Sequence, residues 1–336
     1  MGGRSGWMLG LVVVLCMISG AGRAVAAPAA PAALGILVPV GPPDYRMIFD
    51  RLTDDSVQQF GPFTFHAGKI GGVPVVINIA PADGPLMRSL AAQEMLHHFT
   101  IGAFLYPGTS GAHLGPDTMR IGDIILGAAN VDFGNFFLSK NGDVTGDEFG
   151  HERFAGKTHY GPLYLDPALL ARLACAADRV AGSTRLPGWL NPQHPRDRPD
   201  IFFYGIQGTS TMWLADRDFM QRIDRVFHVM DEDGDWYSNL VATLYRVPFI
   251  EVSTIADSVP ELPDTERGIP VAPAGAPKAP VVAQRISDAI MLDLIAHDGN
   301  AILAARFDTP TRSPYPASAF ADPKRDDGLL RRGGCR

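Results

Sequence analysis

Four acids fall within five positions of this chain: Asp231, Glu232, Asp233 and Asp235, with Gly234 among them. Clustered carboxylates can bind a cation, so a calcium loop is the first chemistry to test. An EF-hand loop needs oxygen ligands at its positions 1, 3 and 5, glycine at 6 and an acid at 12. With Gly234 as position 6, positions 1 and 12 are Val229 and Leu240, which cannot ligate. With Asp231 as position 1, position 6 is Trp236, which cannot make the sharp turn. Asn141, Asp143, Thr145, Gly146 and Glu152 have the right spacing, but Glu148 stands where an apolar residue is needed and no clear helix precedes them. An ordinary polar loop is the better reading there. For residues 231–235 the plain alternative is the acidic first turn of a helix, "DWYSNLVATLYR" at 235–246, where negative charge meets the positive end of the helix dipole.

The elements that must position these residues follow from periodicity. Buried strands are expected at 35–40 ("GILVPV"), 73–80, 102–108, 122–131, 200–206 and 247–256 ("VPFIEVSTIA"). Helices are expected at 85–99, 166–180, 214–227, 235–246 and 281–297. Strands alternating with helices imply a mostly parallel sheet covered on both faces. Ligands in such sheets sit beyond the carboxyl ends of the strands. Residues 140–162 and the proline-rich 182–200 read as insertions, 258–281 as a Pro/Ala-rich linker and 306–336 as a loosely held tail.

Residues 1–26 read as a signal peptide: Arg4, a short apolar run from Trp7 to Ser19, and a small-x-small site at Ala24-Val25-Ala26. The apolar run is too short to span a bilayer. Leu15 before Cys16 argues against a lipid anchor. The mature chain is expected to begin near Ala27 and to be periplasmic or secreted, with no membrane segment after cleavage. The net charge of −7 becomes −9 when Arg4 and Arg23 are removed. An acidic chain without a basic run is a poor nucleic-acid binder, and no nucleic-acid partner is expected. Cys175 and Cys335 remain after cleavage. Cys175 reads as a small helix residue in the core, and the sequence leaves open whether the two pair.

Ordered motifs give the chain a resemblance to the nucleoside phosphorylase superfamily. It is most similar to methylthioadenosine/S-adenosylhomocysteine nucleosidases and the bark storage protein-like relatives. "ADGPLMRSLAAQ" (82–93) resembles the family's glycine-rich helix entry, and "GTSGAHLGPDTMRIGDIIL" (108–126) its Gly-Ser-Ala-Gly-Gly loop and following strand. "VMDEDGDW" (229–236) falls where the family has Val-Glu-Met-Glu-Gly-Ala. "VPFIEVSTIADS" (247–258) falls where it has Val-Pro-Phe-x-x-x-Arg-x-Ile-Ser-Asp. The resemblance runs from Leu34 to Asp257 and over the final helix. It implies an α/β fold, a three-layer α/β/α sandwich with a central mixed, mostly parallel sheet, over 34–305.

The resemblance also implies roles. Asp257 would be the general acid that protonates the purine, which requires a raised pKa in a dry setting. Asp231 and Asp233 would hold the ribose hydroxyls, since an ionised carboxylate is acceptor-only and can take two donors from a diol. Trp213 would stack on the base and the backbone of Leu214 would read its edge. Thr109 and Ser110 would face the nucleophile. No metal or organic cofactor is implied, the partner is a small-molecule nucleoside, and a homodimer is expected.

The pattern also departs from the family. The water-activating Glu is missing from "VPVGPPDYR" (38–46), where Asp44 is the one nearby carboxylate. Ser253 replaces the family's Arg, and Tyr106 stands where phosphorylase branches carry another Arg. Hydrolysis of a purine nucleoside or 5′-thionucleoside is therefore the first reading. A non-catalytic nucleoside-binding or storage protein is the second. Phosphorolysis is the third, and it would need an Arg or Lys from elsewhere, such as Arg88 or one from the 140–162 loop.

Overall fold

The computed structural model describes residues 32–38, 45–82, 84–134, 136–146, 161–192, 195–212, 214, 216–258, 269–310, 312–324 and 326–335. The signal peptide of the sequence reading therefore lies outside the described residues. The first third runs β1 (Ala33–Val38), α1 (Arg46–Phe49), β2 (Leu52–Phe60), β3 (Phe63–Ile70), β4 (Val73–Ile79), α2 (Pro85–His98) and β5 (Ile101–Ala112). Then come β6 (Ile124–Leu126), β7 (Ala129–Asp132), a separate hairpin of β8 (Phe136–Leu138) and β9 (Val144–Gly146), β10 (Leu163–Tyr164) and α3 (Pro167–Ser183). The rest is β11 (Ile201–Phe202), β12 (Ile206–Thr209), α4 (Arg217–Phe227), β13 (Asp231–Glu232), α5 (Trp236–Leu244), β14 (Phe249–Ser258), α6 (Ala279–Ala304), α7 (Ala317–Ala321) and α8 (Asp327–Arg332).

One mixed sheet follows the path β10-β7-β12-β13-β5-β1-β4-β3-β2, with β14 against β5 and β6, and β6 against β11. Its centre is parallel: β1 pairs with β4 and β5, and β5 with β14. Alternation along each strand gives the sheet two faces. Leu34 and Ile36 of β1 and Ala103 and Leu105 of β5 pack with Leu169 of α3 and Ile290 and Leu294 of α6. Leu37, Phe104 and Tyr106 point the other way, onto Ala91, Ala92 and Met95 of α2 and Ala242 of α5. The result is the three-layer α/β/α sandwich that the alternating pattern predicts.

Local sequence explains where the helices start. Asp166 caps α3 by accepting from the amides of Ala168 and Leu169, with Pro167 at the first helical position. Asp216 caps α4 through the Phe219 amide at 2.7 Å. Both use the short acceptor that a helix N-terminus favours.

Three expectations are corrected. The strand expected over 122–131 is two strands, β6 and β7, separated at Gly127 and Ala128. The strand at 200–206 is likewise two short pieces, β11 and β12. The described part of 306–336 is firmly packed rather than loose. Leu329 and Leu330 of α8 are buried, Tyr315 Oη donates to the Leu165 carbonyl at 2.5 Å, and Cys335 is disulfide-bonded to Cys175 of α3. The hairpin β2–β3 was not anticipated, because β2 ("LTDDSVQQF") is polar and almost wholly exposed.

Candidate functional site

The site is built where β5, β13 and β14 end. β14 pairs with β5 residue for residue from Phe249 opposite Phe104 to Ile255 opposite Ser110; the register then shifts, and Asp257 lies opposite Gly111. In an unbroken strand Asp257 would share a face with Glu251 and Ser253. The bulge at Ala256 turns it onto the other face, toward α6, as β-bulges do when they re-aim a side chain. Gly111 makes room for it. A Cβ on Gly111 would lie 2.5 Å from Asp257 Oδ1 and 3.3 Å from Glu232 Oε1. The two carboxyl groups therefore converge on the space that glycine leaves open.

β13 runs antiparallel to β5, with Glu232 opposite Gly111 and Asp231 opposite Ala112. Neighbours along a strand point to opposite faces, so Glu232 joins Asp257 while Asp231 goes through to the other side. There Gln207 Nε2 donates to Asp231 Oδ2 at 3.4 Å, and Asp231 has no exposed surface. Asp233 is exposed and takes a left-handed backbone with φ of 76°, a region Asp tolerates better than most residues. Asp235 caps α5 through the Ser238 amide and pairs with Arg88 Nε at 3.2 Å. It behaves as the plain helix-cap reading expects. The four acids thus serve separate purposes, and Gly234 lets the chain approach β12 closely: its amide donates to the Gly208 carbonyl at 2.8 Å.

Burial sets the electrostatics. Asp257 is pushed up to about 7, first by desolvation and then by the charges of Asp233 and Glu232, with His113 opposing. Its Oδ1 is buried and makes no hydrogen bond. Asp231 is also raised to about 7 by burial, opposed by Ser110, His113 and Gln207, with the charge of Asp233 adding to the rise. Desolvation alone would lower His113, but Asp224 and Glu232 outweigh it and bring the ring to about 9. His113 Nδ1 is 2.7 Å from Asp224 Oδ1, and Nε2 is 3.7 Å from Glu232 Oε2, an ion-pair distance longer than a hydrogen bond. Behind the site, burial raises Glu251 well above the usual carboxylate range. It accepts from Asn130 Nδ2 at 2.5 Å and from the Asp235 amide at 3.1 Å.

The residues singled out from sequence are therefore only partly gathered. Asp257 and Asp233 are near enough to interact electrostatically. Thr109 alternates onto the face of Gly111, while Ser110 lies on the side of Asp231. The Leu214 amide donates to Glu232 Oε2 at 3.3 Å, so the group expected to read a base edge is taken by a carboxylate. Its side chain packs with Phe133, Met220 and Ile223. Trp213 and Asp44 lie outside the described residues. Glu232 and His113 were missed. For Glu232 the signal was present: in a strand, Asp231 points to one face and Glu232 to the other, so the two cannot serve the same site.

Among the described residues no group of three His, Cys, Asp or Glu side chains is placed to hold a metal ion. No helix there is long and apolar enough to cross a membrane.

Comparison with known proteins agrees with this architecture. The profile of the Phosphorylase superfamily matches residues 33–184. A 5′-methylthioadenosine/S-adenosylhomocysteine nucleosidase from Maridesulfovibrio salexigens is 24% identical over 221 residues, which span 64% of this chain and 81% of that protein. The Streptococcus pneumoniae MTA/SAH nucleosidase, solved with 8-aminoadenine, superposes with a TM-score of 0.56 at 15% identity, covering 79% of this chain and 99% of its own. Futalosine hydrolase of Helicobacter pylori gives a TM-score of 0.56 at 15% identity, covering 79% and 97%. The chain carries the Phosphorylase superfamily signature over residues 33–184, and it has the nucleoside phosphorylase fold.

Proposed function

We propose that the protein is a nucleosidase: it hydrolyses the N-glycosidic bond of a purine nucleoside or 5′-thionucleoside to free base and sugar. The observation that carries this reading is Asp257. It is a buried carboxyl at the carboxyl end of a central strand, with one oxygen unpaired and its pKa raised to about 7. A group in that state holds a transferable proton at neutral pH.

In the reaction Asp257 protonates a ring nitrogen of the base as the bond from the base to C1′ breaks. The bond's electron pair leaves with the base, and positive charge develops on the sugar. Water attacks C1′ and loses its proton to a carboxylate. Asp44 is the sequence's candidate for that acceptor. Asp233 accepts from the sugar hydroxyls. The carboxylates around Gly111 also favour the developing positive charge. Arg88 pairs with Asp235 and lies 5.2 Å from the Tyr106 ring centre, which speaks against one of the two cation sources suggested for phosphorolysis, the other being the 140–162 loop. The non-catalytic reading gains one observation, the Leu214 amide held by Glu232. In keeping with the signal-like segment, the mature protein is proposed to act outside the cytoplasm.

The test is base release from methylthioadenosine, S-adenosylhomocysteine, adenosine and inosine, with and without phosphate. Hydrolysis without phosphate is expected on at least one of them. Asp257→Asn should slow it about 100-fold or more, since it keeps the shape and removes the proton. Binding without turnover on all four substrates would leave the binding protein, and turnover only with phosphate would select the phosphorylase.

A further inference from the structure

The groups around Asp257 include one arrangement that the reaction as written does not use. His113 follows β5, two residues beyond Gly111. Its side chain is fully buried, with Phe133 packed edge-on at 5.9 Å. Each ring nitrogen faces a carboxylate: Nδ1 meets Asp224 of α4 at 2.7 Å, and Nε2 faces Glu232 of β13 at 3.7 Å. Glu232 in turn converges with Asp257 on the open side of Gly111. Asp224 lies on the wall of a cavity with Arg217, Gln221, Arg225 and His228. A line of titratable groups thus runs from the acid to an open cavity.

We propose that His113 is a positioning residue for the general acid: held as an imidazolium between Asp224 and Glu232, it fixes the Glu232 carboxylate beside Asp257 and so sets the pH range over which Asp257 keeps its proton. This rests on Asp257 being the acid. Two carboxylates facing a common space repel, and a neighbouring cation decides how much of that repulsion the acid feels. The groups facing Asp257 are Glu232 of β13, Asp233 in the turn after it, and His113. Those facing His113 are Asp224 of α4, Glu232 and Asp231 of β13, and Asp257 of β14. His113 is the cation nearest these carboxylates, while Arg217 and Arg225 of α4 and His228 at its end line the cavity that His113 and Asp224 also line. Asp224 keeps the charge on the ring.

The signs of the variant effects follow. Removing the cation with His113→Gln makes the Asp257 carboxylate harder to form, so its titration moves to higher pH by about one unit. Asp224→Asn lets the ring lose its proton near neutrality and should move Asp257 the same way. In the double variant the shift should be no larger than in His113→Gln alone, because both changes remove one charge. Glu232→Gln removes a repelling charge and should move Asp257 to lower pH. A packing role for His113 would reduce activity without giving opposite shifts for the two partners of one ring.

The experiment reads Asp257 twice. Carbon-13 NMR titration of aspartate-labelled full-length protein, assigned with Asp257→Asn, follows the carboxyl without substrate. The alkaline limb of kcat/KM for base release follows it in turnover. Upward shifts in His113→Gln and Asp224→Asn, with a downward shift in Glu232→Gln, establish the clamp. If the NMR shifts appear in a protein that releases no base, the clamp stands and the nucleosidase reading falls. If base is released but the limb and the NMR titration stay fixed in all three variants, the clamp falls and the nucleosidase stands. Asp224→Asn lies at a partly exposed position, so it decides the matter if His113→Gln does not fold.

Discussion

Asp257 lies opposite Gly111 although it is two residues, not one, beyond the partner of Ser110. The extra residue, Ala256, is what places the carboxyl among Glu232, Asp233 and His113. The space at Gly111 is the other half of this relationship. A methyl group there would lie 2.5 Å from Asp257 Oδ1, well inside contact distance. Gly111→Ala should therefore cost about 1–3 kcal/mol of stability, as overpacking does, and should displace the acid. Base release should fall about tenfold or more, the equivalent of about 1.4 kcal/mol in the barrier. Denaturant titration and a turnover assay on the same samples measure both. A variant as fast as wild type would show that the acid does not depend on this space.

The buried acids make a prediction about stability and pH. Asp257 and Asp231 sit near 7 in the folded protein, against an ordinary value of 3.8. Between those values the folded chain holds protons that the unfolded chain has released. The stability these groups contribute is complete below the unfolded value and is lost as pH rises through the folded one. Each contributes a slope of at most about 1.4 kcal/mol per pH unit. Asp257→Asn and Asp231→Asn should therefore gain on wild type as pH rises from about 4 to about 7. Urea denaturation across that range checks it, and parallel curves for wild type and variants would mean the acids titrate normally.

How much of this was legible in the sequence depends on what each residue answers to. The layers were legible because β1, β4 and β5 alternate or run apolar and α3 is amphipathic, and both are properties of the local chain. Asp257 was legible through its motif. The bulge at Ala256 was not, because one extra residue leaves no compositional trace and yet reverses which face a side chain takes. Asp231 was grouped with Asp257 because the motif match selects it, whereas alternation in β13 sends Asp231 and Glu232 to opposite faces and leaves Glu232 beside Asp257. His113 carries no local signal for its role, since its partners, Asp224 and Glu232, lie more than a hundred residues away and only the fold brings them together. The Cys175–Cys335 link spans 160 residues and was invisible for the same reason.

Asp233 separates sugar recognition from acid tuning. Its charge is exposed and faces Asp257 electrostatically. Asp233→Asn keeps a residue that tolerates the left-handed backbone, whereas Asp233→Ala adds roughly 1–2 kcal/mol of strain there. Both should weaken nucleoside binding about tenfold or more through loss of charge-assisted hydrogen bonds. Free-purine affinity should change little. Calorimetry with nucleoside and base on both variants measures this. Equal loss for the two ligands would assign Asp233 to the fold.

The disulfide and the signal-like segment lead to a joint prediction. Disulfides persist in oxidising compartments, and Cys335 ties the end of the chain to a fully buried position on α3. Closing so long a loop typically stabilises by about 2–5 kcal/mol. Cys335→Ser should lower stability by that order in oxidising buffer, and a reductant should bring wild type toward the variant while leaving the variant unchanged. The loss should be confined to stability, because the residues of the Gly111 site lie on β5, β13 and β14 whereas Cys335 is tied to α3. Mass spectrometry of the protein from its native compartment should find a new N-terminus near Ala27 and a mass two hydrogens below that of the fully reduced chain. An intact Met1 together with free thiols would refute export, and a Cys335→Ser variant as stable as wild type would show that the tail is held by Leu329, Leu330 and Tyr315 alone.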